Sequence, residues 1–296
     1  MKKIAILSLS ALLFLSAPLF GTEIGTYFLG FKYWYTNWDS GALEWFNGQI
    51  TEIYRTNWGV PISAKTEDQT GFLSGPVFGY QTRDGKWNVS FAPMVCNHSV
   101  QKQVITTMDN SGRTVVSSVD MYRRDFDFAV AYALSDLADI SQYFEYCKLY
   151  AGVKHQVVDL EVETAAFIDG VQDMDRDSMM ELRYTAQMPT LGFGIAYPIT
   201  KRVVLGLQGG VGMAFIAQKD SYVSVNGAET DISPDNSIVY NAEVGMNFLP
   251  IERLIVQIGY RYQQWEFSLK NHGDFAASDE CKDVTQGPVA AVVYAF

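Results

Sequence analysis

Cysteine is scarce in this 296-residue chain, at three, and proline is sparse at nine. Three cysteines are too few for a disulfide-dense scaffold. Basic residues are also short, 22 against 33 acidic, for a formal net charge of −11. A nucleic-acid partner would require a basic domain or stripe, so that class is excluded. Beyond the first residues no apolar run is long enough for a membrane helix. Disorder is excluded by what is present, because 48% of the chain is hydrophobic and 14% aromatic. The mean hydropathy is nonetheless near zero.

Lys2 and Lys3 precede an apolar stretch, Ile4 to Phe20, that ends at the small residue Gly21. This order predicts a secretory signal peptide over residues 1–21, with one further domain over 22–296. An uncleaved single-helix anchor is the alternative, weakened by Pro18 and by the lack of a basic stop-transfer flank.

The remainder alternates with period two, the mark of half-buried strands. Tyr27, Leu29, Phe31, Tyr33 and Tyr35 share one face, and Lys32, Trp34 and Thr36 lie on the other. The same pattern runs through Val203 to Phe215 and Ile238 to Phe248. About ten such runs are counted, with 8 or 12 as alternatives, near residues 24–36, 71–80, 87–100, 120–134, 144–160, 183–197, 202–217, 237–248, 254–267 and 284–296. Most are near the 9–11 residues that a tilted strand needs to cross a bilayer. Short connections, such as the Asp84-Gly85 turn, alternate with long ones at residues 37–70, 101–119, 161–182, 218–236 and 268–283. Short turns on one side and long loops on the other predict an all-β, antiparallel up-and-down transmembrane barrel, with the short turns periplasmic. A soluble β-sandwich competes, but its water-exposed faces should carry more Lys, Glu and Thr.

At the last strand Pro288, Ala290, Val292, Tyr294 and Phe296 alternate with small residues, and the chain resembles bacterial outer-membrane β-barrel proteins. The resemblance implies that Tyr294 and Phe296 are an assembly signal read by the barrel assembly machinery. It also implies residence in the outer membrane, with lipid and lipopolysaccharide as partners. Tyr and Trp, Trp34 among them, fall mostly towards predicted strand ends, as expected of interfacial belts.

With the greasy face outward, Lys32, Arg123, Asp125, Asp127, Glu243 and Arg261 should face the lumen. A ten-strand interior is only somewhat wider than the eight-strand case that side chains just fill. An ion-pair network, for example Glu243 with Arg261, is therefore expected, with a narrow polar channel as the rival. Arg124 and Lys148 break the alternation. The first long loop holds Trp38, Trp45, Phe46 and Trp58, read as a small core over the barrel mouth or as a recognition surface.

Catalytic candidates are thin. His98 and Ser99 are adjacent and point oppositely, unlike the His and Ser two apart of barrel lipases. His272 lacks the Asp-x-His of barrel proteases, and His155, sharing parity with Asp159, reads as a lone luminal histidine. No enzyme activity and no cofactor are expected. Asp173, Asp175, Asp177 and Glu181 are spaced like part of a calcium loop, but Ser178 and Tyr184 occupy the glycine and bidentate-acid positions. A solvated acidic loop is the preferred reading. Cys96 with Cys281 is the one plausible disulfide, Cys147 lying near the periplasmic end. The functional expectation is an outer-membrane barrel with a structural or surface-interaction role, binding a host or surface ligand through its long loops. A narrow porin-like channel is second and a barrel enzyme third.

Overall fold

The computed structural model describes residues 25–46, 48, 69–97, 101–106, 113–135, 146–168, 171–172, 178–225, 228–234, 237–271 and 280–296. The expected signal peptide, Trp58, His98, Ser99, His272, Asp173, Asp175 and Asp177 lie outside them.

The strands are β1 (Gly25–Asp39), β2 (Gln69–Thr82), β3 (Trp87–Asn97), β4 (Gln101–Thr106), β5 (Arg113–Ala133), β6 (Cys147–Ile168) and β7 (Val171–Gln172). They continue as β8 (Ser178–Thr200), β9 (Val203–Val225), β10 (Ala228–Pro234), β11 (Ser237–Ile251), β12 (Leu254–Asn271) and β13 (Glu280–Ala295). Pairing is antiparallel throughout, and β1 bonds both β2 and β13, which closes the sheet. Along their neighbours, β4, β7 and β10 continue β3, β8 and β11 outward, so the thirteen strands form ten staves. Closure leaves no edge, as a lipid-exposed sheet requires.

Short turns join the staves at one end. In the first, Gly85 takes a left-handed φ of 73° and its N–H donates to the Thr82 carbonyl at 2.9 Å. A Cβ is disfavoured in that conformation, which explains the glycine.

The staves are longer than the sequence periodicity indicates. β5, β6, β8 and β9 run 21, 22, 23 and 23 residues, so much of the expected loops at 101–119, 161–182 and 218–236 is strand. The reason is a change of polarity within one unbroken pleat. On β6, Leu149 and Val153 face outward and are exposed, while Lys148 and Lys154 face inward. Further out, Val158, Leu160 and Val162 are inward and buried, and Asp159, Glu161 and Glu163 are outward. β8 repeats this, from outward Leu191, Phe193 and Ile195 to inward Met180, Leu182 and Tyr184. The lower half is thus coloured for lipid and the upper half for water. Since a crossing takes about 9–11 tilted residues, about half of each long strand stands clear of the bilayer.

Candidate functional site

The lumen contains three zones stacked by height. The middle zone is a charged ring around Trp34, which is fully buried. Asp125 accepts from Arg123 Nε and Nη2, each at 2.9 Å, and from Lys154 Nζ at 2.9 Å. Arg123 Nη1 donates to Thr285 Oγ1 at 2.9 Å, and Lys154 Nζ to Gln263 Oε1 at 2.6 Å. Arg261 Nη2 donates to Asp127 Oδ2 at 3.0 Å. Lys32 Nζ reaches Glu243 Oε2 at 3.3 Å, and Gln257 Nε2 donates to Glu243 Oε1 at 2.8 Å. Above the Trp34 ring face stand Arg261 at 4.8 Å, Lys154 at 5.6 Å and Arg123 at 5.8 Å from the centroid. The indole is attractive to each cation through its quadrupole. It also fills the space between them.

The outer zone is an apolar plug. Inward residues of the upper staves, including Val158, Leu160, Met180, Leu182, Trp265 and Phe267, form one buried cluster with Trp38, Leu43, Trp45 and Phe46. The last three belong to a short helix over residues 41–46 that dips into the mouth. Its start is held from two sides. Ser40 Oγ accepts from Leu43 N at 3.3 Å, an N-cap, and Asp283 Oδ1 accepts from Gly41 N at 2.7 Å. Asp283 pairs in register with Trp265, at a height where the outward residues are Gln264, Glu266 and Lys282, above the lipid band. Burial pushes its carboxyl up to about 7, against the lowering effect of the Gly41 N–H.

The inner zone is a polar cup of about 440 Å³ at the short-turn end. Small inward residues, Ala131, Gly152, Gly194 and Gly206 among them, leave this space unfilled. Tyr150 lies across the wall with its hydroxyl donating to Asn241 Oδ1 at 2.8 Å. Gly192 and Gly210 make room for it, since a Cβ at either would collide with the Tyr150 ring or hydroxyl.

The structure brings together all six of the expected lumen residues. Glu243 and Arg261 are register partners as anticipated, yet their side chains are 4.0 Å apart and each has a closer partner. Lys154 is a ring member that periodicity leaves unassigned, although its parity is that of Tyr150. Periodicity places Trp34 on the face of Lys32, but it is also counted among the aromatics of the strand ends. Trp34 is therefore a lumen residue, while Tyr33 and Tyr35 face the lipid side.

Several expectations are corrected. His155 is outward, opposite Phe126 and Gln187, and its ring nitrogen bonds Gln187. It is not luminal because inward parity on β6 belongs to Lys154 and Gln156. Lys148 keeps the pleat and is inward. Arg124 is outward, 4.8 Å over the Tyr122 ring. Cys96 is a free thiol packed with Trp34, Leu73, Met94 and Val289, so the Cys96–Cys281 bridge is not formed. Cys281 is in β13 rather than a loop, buried in the plug. Glu181 is likewise in a strand, β8, with its carboxylate on Arg183. Among the described residues no cluster of His, Cys, Asp and Glu could hold a metal ion. Trp45 and Phe46 do form a core over the mouth. Tyr294 and Phe296 are exposed on the outward face, rings 5.0 Å apart.

A closed antiparallel barrel with an outward apolar band, charge within and short turns at one end defines an integral β-barrel protein of the bacterial outer membrane. No protein-family model matches the chain, and no curated protein matches it in sequence. Among solved structures it is similar to the outer-membrane protease OmpT from Escherichia coli, at a TM-score of 0.45 and 9% identity over 95% of this chain and 99% of that one. It is also similar to the translocator domain of the autotransporter NalP from Neisseria meningitidis, at 0.44 and 9% over 98% and 95%. A third is the outer membrane protein OprG from Pseudomonas aeruginosa, at 0.32 and 12% over 93% and 98%.

Proposed function

We propose that this barrel serves a structural or surface-interaction role at the cell surface and that its lumen does not conduct. The observation that carries this reading is the double closure of the lumen. Trp34 and the buried Arg123–Asp125–Lys154 cluster occupy its middle, and the apolar plug fills the half above. An aqueous path would have to cross both. The upper wall is then a platform: its outward charges, such as Asp159 paired with Arg183 at 3.3 Å, keep it soluble above the bilayer and available to a host or surface ligand. Lipopolysaccharide is the natural neighbour of its base. Tyr294 and Phe296 serve as the signal to the assembly machinery, after removal of a signal peptide at residues 1–21. No catalytic role is assigned, since His155 lies on the outward face with Gln187.

The test is single-channel recording in planar bilayers with the refolded full barrel. No stable openings are expected. Steady, reproducible conductance would overturn the closed-lumen reading in favour of a narrow solute channel.

A further inference from the structure

We propose that the inner cup is a binding site for a small anion bearing a carboxylate or phosphate group, entering from the periplasmic side. The first support is the charge of its lining. Lys32, Lys148, Lys154 and Arg261 contribute four cations against the two carboxylates of Asp127 and Glu243. In a cleft with low-dielectric walls, an excess of one sign concentrates the opposite ion.

The second support is how those charges are used. Both carboxylates are committed to cations deeper in the lumen, Asp127 to Arg261 and Lys154, and Glu243 to Lys32. Lys148 is different. It is inward, near the start of β6, with Ala133 and Gly194 as register neighbours. Among the described residues no carboxylate pairs with it. A cation among small residues has room for a ligand oxygen beside it, and among the described residues no carboxylate already satisfies it. Asn88 and Asn247 add amide donors to the same wall.

The third support is the shape. The lining runs from Asn88 and Asn247 near the short turns up to Lys154, Arg261 and Gln263 of the charged ring, so a ligand would be held rather than passed. Charge-assisted bonds from an ammonium to a carboxylate or phosphate are the strong kind, and a Lys acts there as a point charge. Either oxyanion suits it.

The experiment is isothermal titration of the full barrel, folded in a nonionic detergent that carries no phosphate. Inorganic phosphate, succinate and short-chain phosphatidic acid are the three probes. Saturable binding is expected for at least one, weakened about tenfold by Lys148→Gln. Lys148→Arg should retain it, and Arg183→Gln on the outer wall should leave it unchanged. Each variant must keep the heat-dependent gel migration of the folded barrel. Preference for the phosphatidic acid would make a lipid headgroup the source, and preference for phosphate or succinate a free solute. Both outcomes support the site. Absence of saturable heat with all three, or equal affinity in Lys148→Gln, would overturn it. The result is independent of closure: a conducting barrel that binds phosphate rejects only the closed lumen, and a silent one that binds nothing rejects only this site.

Discussion

Asp125 is the residue on which the lumen turns. It is completely buried and receives three charge-assisted bonds from two cations. Removing one partner of a buried pair leaves the other uncompensated, at a cost of about 3–5 kcal/mol. Asp125→Asn should lower the stability of the refolded barrel by about that amount, read as a shift of the urea unfolding curve in detergent. An unchanged curve would mean that water from the cup solvates Arg123 and Lys154. Asp283 makes the opposite case, a carboxyl whose burial raises its pKa to about 7 in the fold from an ordinary value of 3.8. Between those values the folded state holds the proton and the unfolded state does not. Its contribution to stability is therefore complete below about pH 4 and is lost as pH rises through 7. Asp283→Asn cannot ionise, so its stability relative to the parent should improve on going from pH 5 to pH 8. Parallel pH profiles for the two proteins would remove the titration from the account.

The elements show how one strand serves two solvents. On β6 and β12 the pleat never breaks, yet the apolar face is outward below and inward above. Periodicity therefore located these strands but placed their outer ends too low, because charged outward residues such as Asp159 and Glu161 look like loop. The short helix over 41–46 shows the same economy. Its described residues, 41–46 and 48, make too few internal bonds to stand alone. What holds it is burial of Leu43 and Phe46, each at 0% exposure, in the plug. Phe46→Ala should cost about 3–5 kcal/mol, the usual range for emptying a large aromatic site. Thermal unfolding in detergent measures it. A shift below about 1 kcal/mol would show that the helix only rests on the mouth.

At the scale of the whole molecule the closed lumen is a distributed property. The ring draws on β1, β5, β6, β11, β12 and β13, and the plug adds β8 and β9. No single substitution clears both, which is why the conductance recording is a test of the entire barrel. The class of fold was legible in the sequence because a closed barrel obliges every membrane strand to alternate, and an alternation of about ten runs needs no partner to be recognised. The charges that face inward were legible for the same reason: Lys32, Arg123, Asp125, Asp127, Glu243 and Arg261 share parity against greasy neighbours. Which of them meet was not. Arg261 is aligned with Glu243 but lies closer to Asp127, a residue 134 positions away, because the barrel's curvature brings distant staves together across the lumen. The sequence by itself determined that the strands exist, which of their faces meets the membrane and six of the charges that face the lumen, all of which follow from a period of two. Only the tertiary structure decided that Trp34 sits amid three cations, that a buried apolar cluster occupies the upper lumen and that a cavity remains in the lower one, because these depend on closing ten staves around one axis.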